Sequence, residues 1–278
     1  PTAPNVPDRS KQSMDTVSVI IPTFDRAELL MRAVQSCLLQ TYPVHEVLVC
    51  DDGSTDDSAD RTASIDDPRV KWLAGPRAGR PAVPRNRGMK HATGKWFAFL
   101  DSDDVWLPEK IETQLEQMSR FQTRASCTNA WRISTASSRT RYFAGPGEKL
   151  GLKELLPINR VICSSVIIHR EVAGKAGSFP EASELKALED YCYWLRITAF
   201  TPFIYCEEPL VEYTDDASAS LRADAIPVQL HRQAVLADLQ HWADTHPEAF
   251  DAAQRAAIDR ALEGKSHQPR GFWDRLFR

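Results

Sequence analysis

Short apolar runs alternate with amphipathic stretches through the first 120 residues. Val17-Ser18-Val19-Ile20-Ile21 is β-branched and stops at Pro22, which predicts a central strand. Ala27 to Gln40 follows with Leu29, Leu30, Ala33, Val34, Cys37 and Leu38 at helical spacing. Glu46-Val47-Leu48-Val49-Cys50 predicts a second strand, leading into Asp51-Asp52-Gly53-Ser54. Thr55 is expected to cap the next helix, with Asp56 and Asp57 in its positive first turn. Val70 to Leu73 is a third strand. A Gly/Pro/Arg loop from Ala74 to Pro84 then precedes a short helix around Arg85 to Ala92. Trp96-Phe97-Ala98-Phe99-Leu100 has no polar alternation, as expected of a strand buried on both faces of a parallel sheet. Pro108 suits the first turn of a helix carrying Ile111, Leu115 and Met118.

The second half is less regular. Cys127 to Ile133, Arg141 to Phe143 and Ser164 to Ile168 have strand character, and Tyr205 with Val211 to Tyr213 forms a last extended segment. Leu188 to Phe200 reads as a helix that opens with Glu189-Asp190 and packs Tyr193, Trp194 and Ile197. Beyond Ala217, Pro227 to Ala243 and Pro247 to Leu262 are two amphipathic helices joined at Thr245-His246-Pro247. Strand and helix in alternation argue for a doubly wound, mostly parallel α/β sheet flanked by helices, with a C-terminal helical appendage. The division expected is a flexible leader at 1–15, one large domain at 16–215 (halves 16–125 and 126–215), and a helical region at 216–278.

Composition narrows the class. With 42% apolar and 26% charged residues and a net charge of −4, the chain is an ordinary globular protein with no reason to bind nucleic acid. No apolar run reaches the roughly 18 residues that span a bilayer, and the polar, Pro-rich start lacks the apolar core of a signal peptide. The six cysteines form no CxxC pair and lie mostly in apolar segments, as buried thiols of a reducing cytoplasm would. No Cys/His spacing supports zinc.

The chemistry lies at strand ends. Asp25, Asp51/Asp52 and Asp101/Asp103 follow the first, second and fourth strands, on the sheet edge where ligands of open α/β sheets bind. Asp101 and Asp103 stand two residues apart, so in an extended segment they point the same way and can converge on a hard cation.

Five motifs occur in order: Val19-Ile20-Ile21-Pro22-Thr23-Phe24-Asp25-Arg26, Asp51-Asp52-Gly53-Ser54-Thr55-Asp56, Arg85-Asn86-Arg87-Gly88, Leu100-Asp101-Ser102-Asp103-Asp104, and Glu189-Asp190 before an aromatic-rich helix. Their order and spacing over about residues 16–215 resemble the family 2 glycosyltransferases of the GT-A fold. The resemblance implies a nucleotide-sugar donor, a Mn²⁺ or Mg²⁺ ion and inverting transfer. Pro22, Thr23 and Phe24 would floor the base, and Asp52 would accept from its N3–H, which favours a UDP-sugar. Arg85 would sit beside the diphosphate, and Ser102 would belong to the nucleotide-sugar site. Asp101 would approach ribose and metal, and Asp103 would ligate the metal. Asp190 would be the base that deprotonates the acceptor hydroxyl, with Glu189 binding the acceptor or orienting Asp190. The acceptor expected is a saccharide or lipid-linked glycan of a surface polysaccharide or lipopolysaccharide.

The chain departs from the family at three places. His169-Arg170 stands where paired arginines are common, Gly177-Ser178-Phe179-Pro180-Glu181 replaces Gly-Gly-Phe-Asp-Glu, and no His follows Tyr213-Thr214-Asp215-Asp216. Two other readings use the same residues. Asp101-Ser102-Asp103-Asp104-Val105 also fits the nucleophile motif of haloacid-dehalogenase phosphatases, although that motif normally opens its domain. A nucleotide-sugar-binding protein without catalysis would need no Asp190. The tail carries Phe272, Trp273, Leu276 and Phe277 with Arg270, Arg275 and Arg278, a face suited either to peripheral contact with the cytoplasmic leaflet or to docking on protein.

Overall fold

The computed structural model describes residues 15–133, 139–143, 147–214 and 228–264. All of the leader but Asp15, residues 215–227 and the aromatic tail at 269–278 therefore lie outside the described residues. The apolar runs form the middle of one sheet. β1 (Val17–Thr23), β2 (Glu46–Asp51) and β4 (Trp96–Phe99) are buried along their whole length, while β3 (Val70–Leu73) closes the edge half-exposed. β1 pairs in parallel with β2 and β4, and β2 with β3.

The far half of the sheet is mixed. Beyond β4 come β9 (Ile167–His169), β6 (Ala125–Ile133), β10 (Phe203–Thr214) and β5 (Val105–Trp106), in that order. β9 runs antiparallel to both β4 and β6, whereas β10 is parallel to β6. Two short strands, β7 (Arg139–Arg141) and β8 (Lys149–Leu150), pair with β6 and β10. The parallel character thus belongs to the first half, and one antiparallel strand joins it to the second.

Side-chain alternation along the strands builds two cores. Val19, Ile21, Val47 and Val49 face α1 (Ala27–Leu38) and α4 (Lys110–Phe121). Ile20, Leu48, Phe97 and Phe99 face the other layer, made of α3 (Ala82–His91), α6 (Arg170–Ala176), α7 (Glu189–Ile197), α8 (Val228–Thr245) and α9 (Ala252–Leu262). Val235, Leu239, Trp242, Phe250 and Ile258 belong to this same core, so the C-terminal helices pack into the body of the fold. A largely buried ion pair, one Arg196 nitrogen donating to both Asp238 carboxylate oxygens at 2.7 and 2.8 Å, ties α7 to α8.

Local differences from the sequence reading have local causes. Thr55 does not cap α2 (Ser58–Ala63), which starts later with Asp57 as its first flanking residue; the Thr55 amide instead donates to Asp25. α4 begins at Lys110, leaving Pro108 in the preceding turn. Cys163–Ser165 is a 3-10 turn rather than strand, because Ser165 and Val166 amides bond back to Ile162 and Cys163 carbonyls. All six cysteines are free and buried.

Candidate functional site

The ends of β1 and β2 are laced together. Asp25, with φ 43°, accepts at Oδ1 from the Thr55 amide at 2.6 Å, and its own amide donates to Ser54 Oγ at 3.0 Å. Asp51 accepts from the Ser54 amide at 2.9 Å and so holds its own loop. Gly53 has φ +81°, and a Cβ there would meet the Arg77 amide nitrogen at 2.8 Å, so both turn and packing require glycine. Asp52 faces the loop that follows β3: it accepts from the Ala78 and Gly79 amides at 2.8 and 2.9 Å and pairs with Arg77. The Arg77 guanidinium lies over the Phe24 ring, 3.4 Å from its centroid. Phe24 and Asp52 are thereby brought to one place, with Arg77 across both.

α3 supplies the middle of the site, and each residue of its Arg-Asn-Arg-Gly run has its own task. Arg85, 4% exposed, donates to Asp101 Oδ1 at 2.5 Å and to Glu189 Oε1 at 2.9 Å. Burial opposes its charge, but the two carboxylates outweigh burial and hold the guanidinium charged. Asn86 clamps the Phe179 backbone, donating to its carbonyl and accepting from its amide, both at 2.9 Å. Arg87 donates to the Asp51 and Leu73 carbonyls at the ends of β2 and β3. Gly88 lets α3 lie on the sheet, since a Cβ there would meet Ile20 Cγ2 at 2.6 Å and Cys50 Sγ at 2.7 Å.

The acids after β4 are packed closely. Asp103 pairs with Arg26 at 2.8 Å; Asp104, 1% exposed, accepts from Ser164 Oγ at 2.5 Å and from the Thr214 amide at 2.8 Å. Burial pushes the Asp103 carboxyl up, and the Asp101 charge adds to this while Arg26 opposes it. Asp104 is pushed well up by burial and by the charges of Asp103 and Asp101.

α7 brings Glu189 and Asp190 to this edge. Ala187, just before it, takes φ 65°, a left-handed conformation that L-residues rarely adopt and that recurs at functional sites. Glu189 is 4% exposed and turned into the Arg85 pair. The Asp190 carboxylate accepts from the Tyr191 amide at 2.7 Å.

A cleft of roughly 530 Å³ runs along these residues and is lined by all of the sequence-predicted positions: Pro22, Thr23, Phe24, Asp52, Arg85, Asp101, Ser102, Asp103, Glu189 and Asp190. A second cavity of roughly 110 Å³ lies behind it, and Asp101, Ala187, Asp190 and Tyr213 line both. Arg26, Arg77 and Arg80 also line the cleft and were not singled out by the sequence reading; for Arg26 the signal was its place in the first motif.

Among the described residues no group of three or more His, Cys, Asp or Glu is placed to hold a metal ion. Two carboxylates, Asp101 and Asp103, nevertheless line the cleft together, and the charge of one raises the pKa of the other. That donor set fits a hard divalent cation whose remaining ligands are phosphate oxygens and water.

Comparison with known proteins accords with this arrangement. Residues 18–176 match the family described as "Glycosyl transferase family 2". WfgD of Escherichia coli, a UDP-Glc:alpha-D-GlcNAc-diphosphoundecaprenol beta-1,3-glucosyltransferase, is 33% identical over 181 residues, covering 65% of this chain and 69% of its own. TuaG of Bacillus subtilis, a putative teichuronic acid biosynthesis glycosyltransferase, is 30% identical over 201 residues, 71% of this chain and 78% of its own. Among solved structures, S. aureus TarS 1-349 in complex with UDP-GlcNAc superposes with TM-score 0.69 at 16% identity, over 92% of this chain and 75% of that one. These matches make the protein a nucleotide-sugar-dependent glycosyltransferase rather than a phosphatase, and the chain belongs to glycosyl transferase family 2.

Proposed function

We propose that the protein is an inverting transferase that moves a sugar from a UDP-sugar to a saccharide acceptor on a lipid-linked glycan, in the synthesis of a surface polysaccharide. The observation that carries this reading is the position of Asp190, which lines both the cleft and the cavity behind it. A base for transfer must stand where donor and acceptor meet.

In this reading the uracil rests on Pro22, Thr23 and Phe24 and donates its N3–H to Asp52. The diphosphate lies along Ser102 toward Asp101 and Asp103, which would hold Mn²⁺ or Mg²⁺. When bound, that ion would neutralise charge on the departing diphosphate. The acceptor oxygen attacks C1 from the face opposite UDP, its proton passes to Asp190, and UDP leaves with the bonding electrons. Glu189 does its work through Arg85: the 2.9 Å pair fixes the guanidinium that in turn holds Asp101 at 2.5 Å. WfgD, by its name, takes UDP-Glc and a GlcNAc-diphospholipid, which supports this donor and acceptor class. Among the described residues no helix is long and apolar enough to cross a membrane. For work on a lipid-linked acceptor at the cytoplasmic side, the apolar residues Phe272, Trp273, Leu276 and Phe277 of the tail are proposed to give peripheral contact.

The test is calorimetry with UDP, GDP, CMP and dTDP, each with and without Mn²⁺, followed by UDP release from UDP-sugars with a GlcNAc-diphospholipid acceptor. Mn²⁺-dependent binding of UDP above the others is expected. Equal or absent binding of all four would overturn the donor assignment.

A further inference from the structure

The cavity behind Asp190 has walls from three places. One is aromatic: Tyr142 sits edge-on to Tyr213 with ring centroids 5.1 Å apart at 76°, and edge-on to Phe143 at 4.7 Å and 83°. A second is aliphatic, including Ile158 and Ile162. The third is α8, which contributes Val235. α8 lies beyond residues 18–176, the segment the family match covers.

The aromatic wall is built to hold still. Asn129, 1% exposed, spends both ends of its amide on Phe143, donating to the carbonyl at 2.9 Å and accepting from the amide at 3.2 Å. The Tyr142 amide donates to the Ala130 carbonyl at 2.9 Å. Yet Tyr142, Phe143 and Tyr213 are only partly buried against the core. Rings fixed by their backbone and left half-uncovered at a cavity mouth are preorganised for a ligand.

We propose that this cavity is the acceptor pocket, that a pyranose lies in it with its apolar C–H face on the Tyr142–Tyr213 corner and one hydroxyl toward Asp190, and that α8 closes the pocket and so limits which acceptor enters. This rests on the transferase reading above. The chemistry is direct. A pyranose presents C–H bonds on its faces and hydroxyls at its rim, so an aromatic corner with two carboxylates, Asp101 and Asp190, on the side shared with the cleft matches it. α8 is a fixed wall because the Arg196–Asp238 pair and the Trp242 and Leu239 side chains anchor it.

The experiment measures acceptor binding separately from donor binding. A short-chain GlcNAc diphosphate is titrated into the full chain saturated with UDP and Mn²⁺, and the ring protons it places against protein are read by saturation-transfer NMR. Tyr142→Ala is expected to weaken acceptor binding about tenfold, Tyr142→Phe to stay within about twofold, and both to bind UDP as the parent does. Val235→Phe, which fills the pocket from the α8 side, is expected to weaken the acceptor and not UDP. Acceptor binding unchanged in Tyr142→Ala or in Val235→Phe would overturn the proposal, as would equal loss of UDP in either. Failure of the parent protein to bind UDP refutes the donor reading instead, and melting temperatures identify any variant that is merely unfolded.

Discussion

Removing the Arg85 guanidinium is the sharpest perturbation of the site. Arg85 is 4% exposed and bonds two carboxylates, of which Glu189 is itself 5% exposed at its side chain and Asp101 29%. Glu189 Oε2 has no hydrogen-bond partner, so Arg85 carries the stabilisation of that charge. Arg85→Met leaves Glu189 buried and uncompensated. Breaking a buried pair in this way costs about 3–5 kcal/mol, and the half-exposed Asp101 pair adds at most about 1 kcal/mol. With a urea m-value of about 3 kcal/mol/M, the midpoint should fall by about 1–2 M. The second variant tests the cause. Arg85→Met with Glu189→Gln replaces the stranded charge by a neutral amide and should recover about 2–3 kcal/mol, a coupling that a non-interacting pair cannot give. Urea denaturation of the four proteins of the cycle reads both quantities. A coupling below about 0.5 kcal/mol, or an Arg85→Met protein as stable as the parent, would refute the claim that Arg85 holds this site together.

Four further outcomes are expected. Asp190→Asn should keep UDP affinity and lose about 10²–10⁴-fold in transfer rate; retained turnover removes Asp190 as the base. Asp103→Ala should abolish the Mn²⁺-dependent part of UDP affinity by calorimetry while leaving the Mn²⁺-free part, and an unchanged metal response contradicts its ligand role. Arg77→Ala should tighten UDP binding about threefold, because Arg77 lies over Phe24 and on Asp52, the two groups proposed to hold the base; weaker binding would show that Arg77 is itself a base ligand. Burial raises the Glu46 carboxyl, but hydrogen bonds from Lys71, Ser18 and Thr93 outweigh it and bring it down to about 2. Its folded pKa lies below the ordinary value of about 4.3, so its stabilisation is complete above that value and fades as pH falls toward about 2; Glu46→Gln should cost about 1–3 kcal/mol at pH 7 and show a flatter acid limb, and parallel acid limbs would refute this.

The first half of the fold was legible because its strands are buried on both faces. Such strands are written as unbroken apolar runs, and acids placed directly after them must lie on the ligand edge. Val17–Thr23 and Trp96–Phe99 follow that rule. The second half was harder for a physical reason. β5 and β8 are two residues each, too short for any period, and β9 runs antiparallel through contacts with β4 and β6 that no local pattern encodes. The residues that line the cleft could be picked out from the sequence too, but not their partners. Arg26 reaches Asp103 and Arg85 reaches Glu189 across 77 and 104 residues, and Arg77 stands in a Gly/Pro loop that gives no periodic signal.

The site also shows where this fold gives up stability. Asp101, Asp103 and Asp104 are three acids within four consecutive positions, and burial with mutual repulsion raises the latter two. Ala187 holds a left-handed backbone at the edge shared by cleft and cavity. Arg85 is locked between two carboxylates rather than turned outward. Each feature opposes folding when considered alone, and each faces the one cleft. Core packing explains none of them, since apolar residues of similar volume would serve it better. A ligand that is anionic, accompanied by a cation and bound against a fixed guanidinium explains all three together. In the proposed transfer, such a ligand would relieve the repulsion among the acids and would need Asp101 held in one place, with α7 beginning where Asp190 can reach the reacting centre.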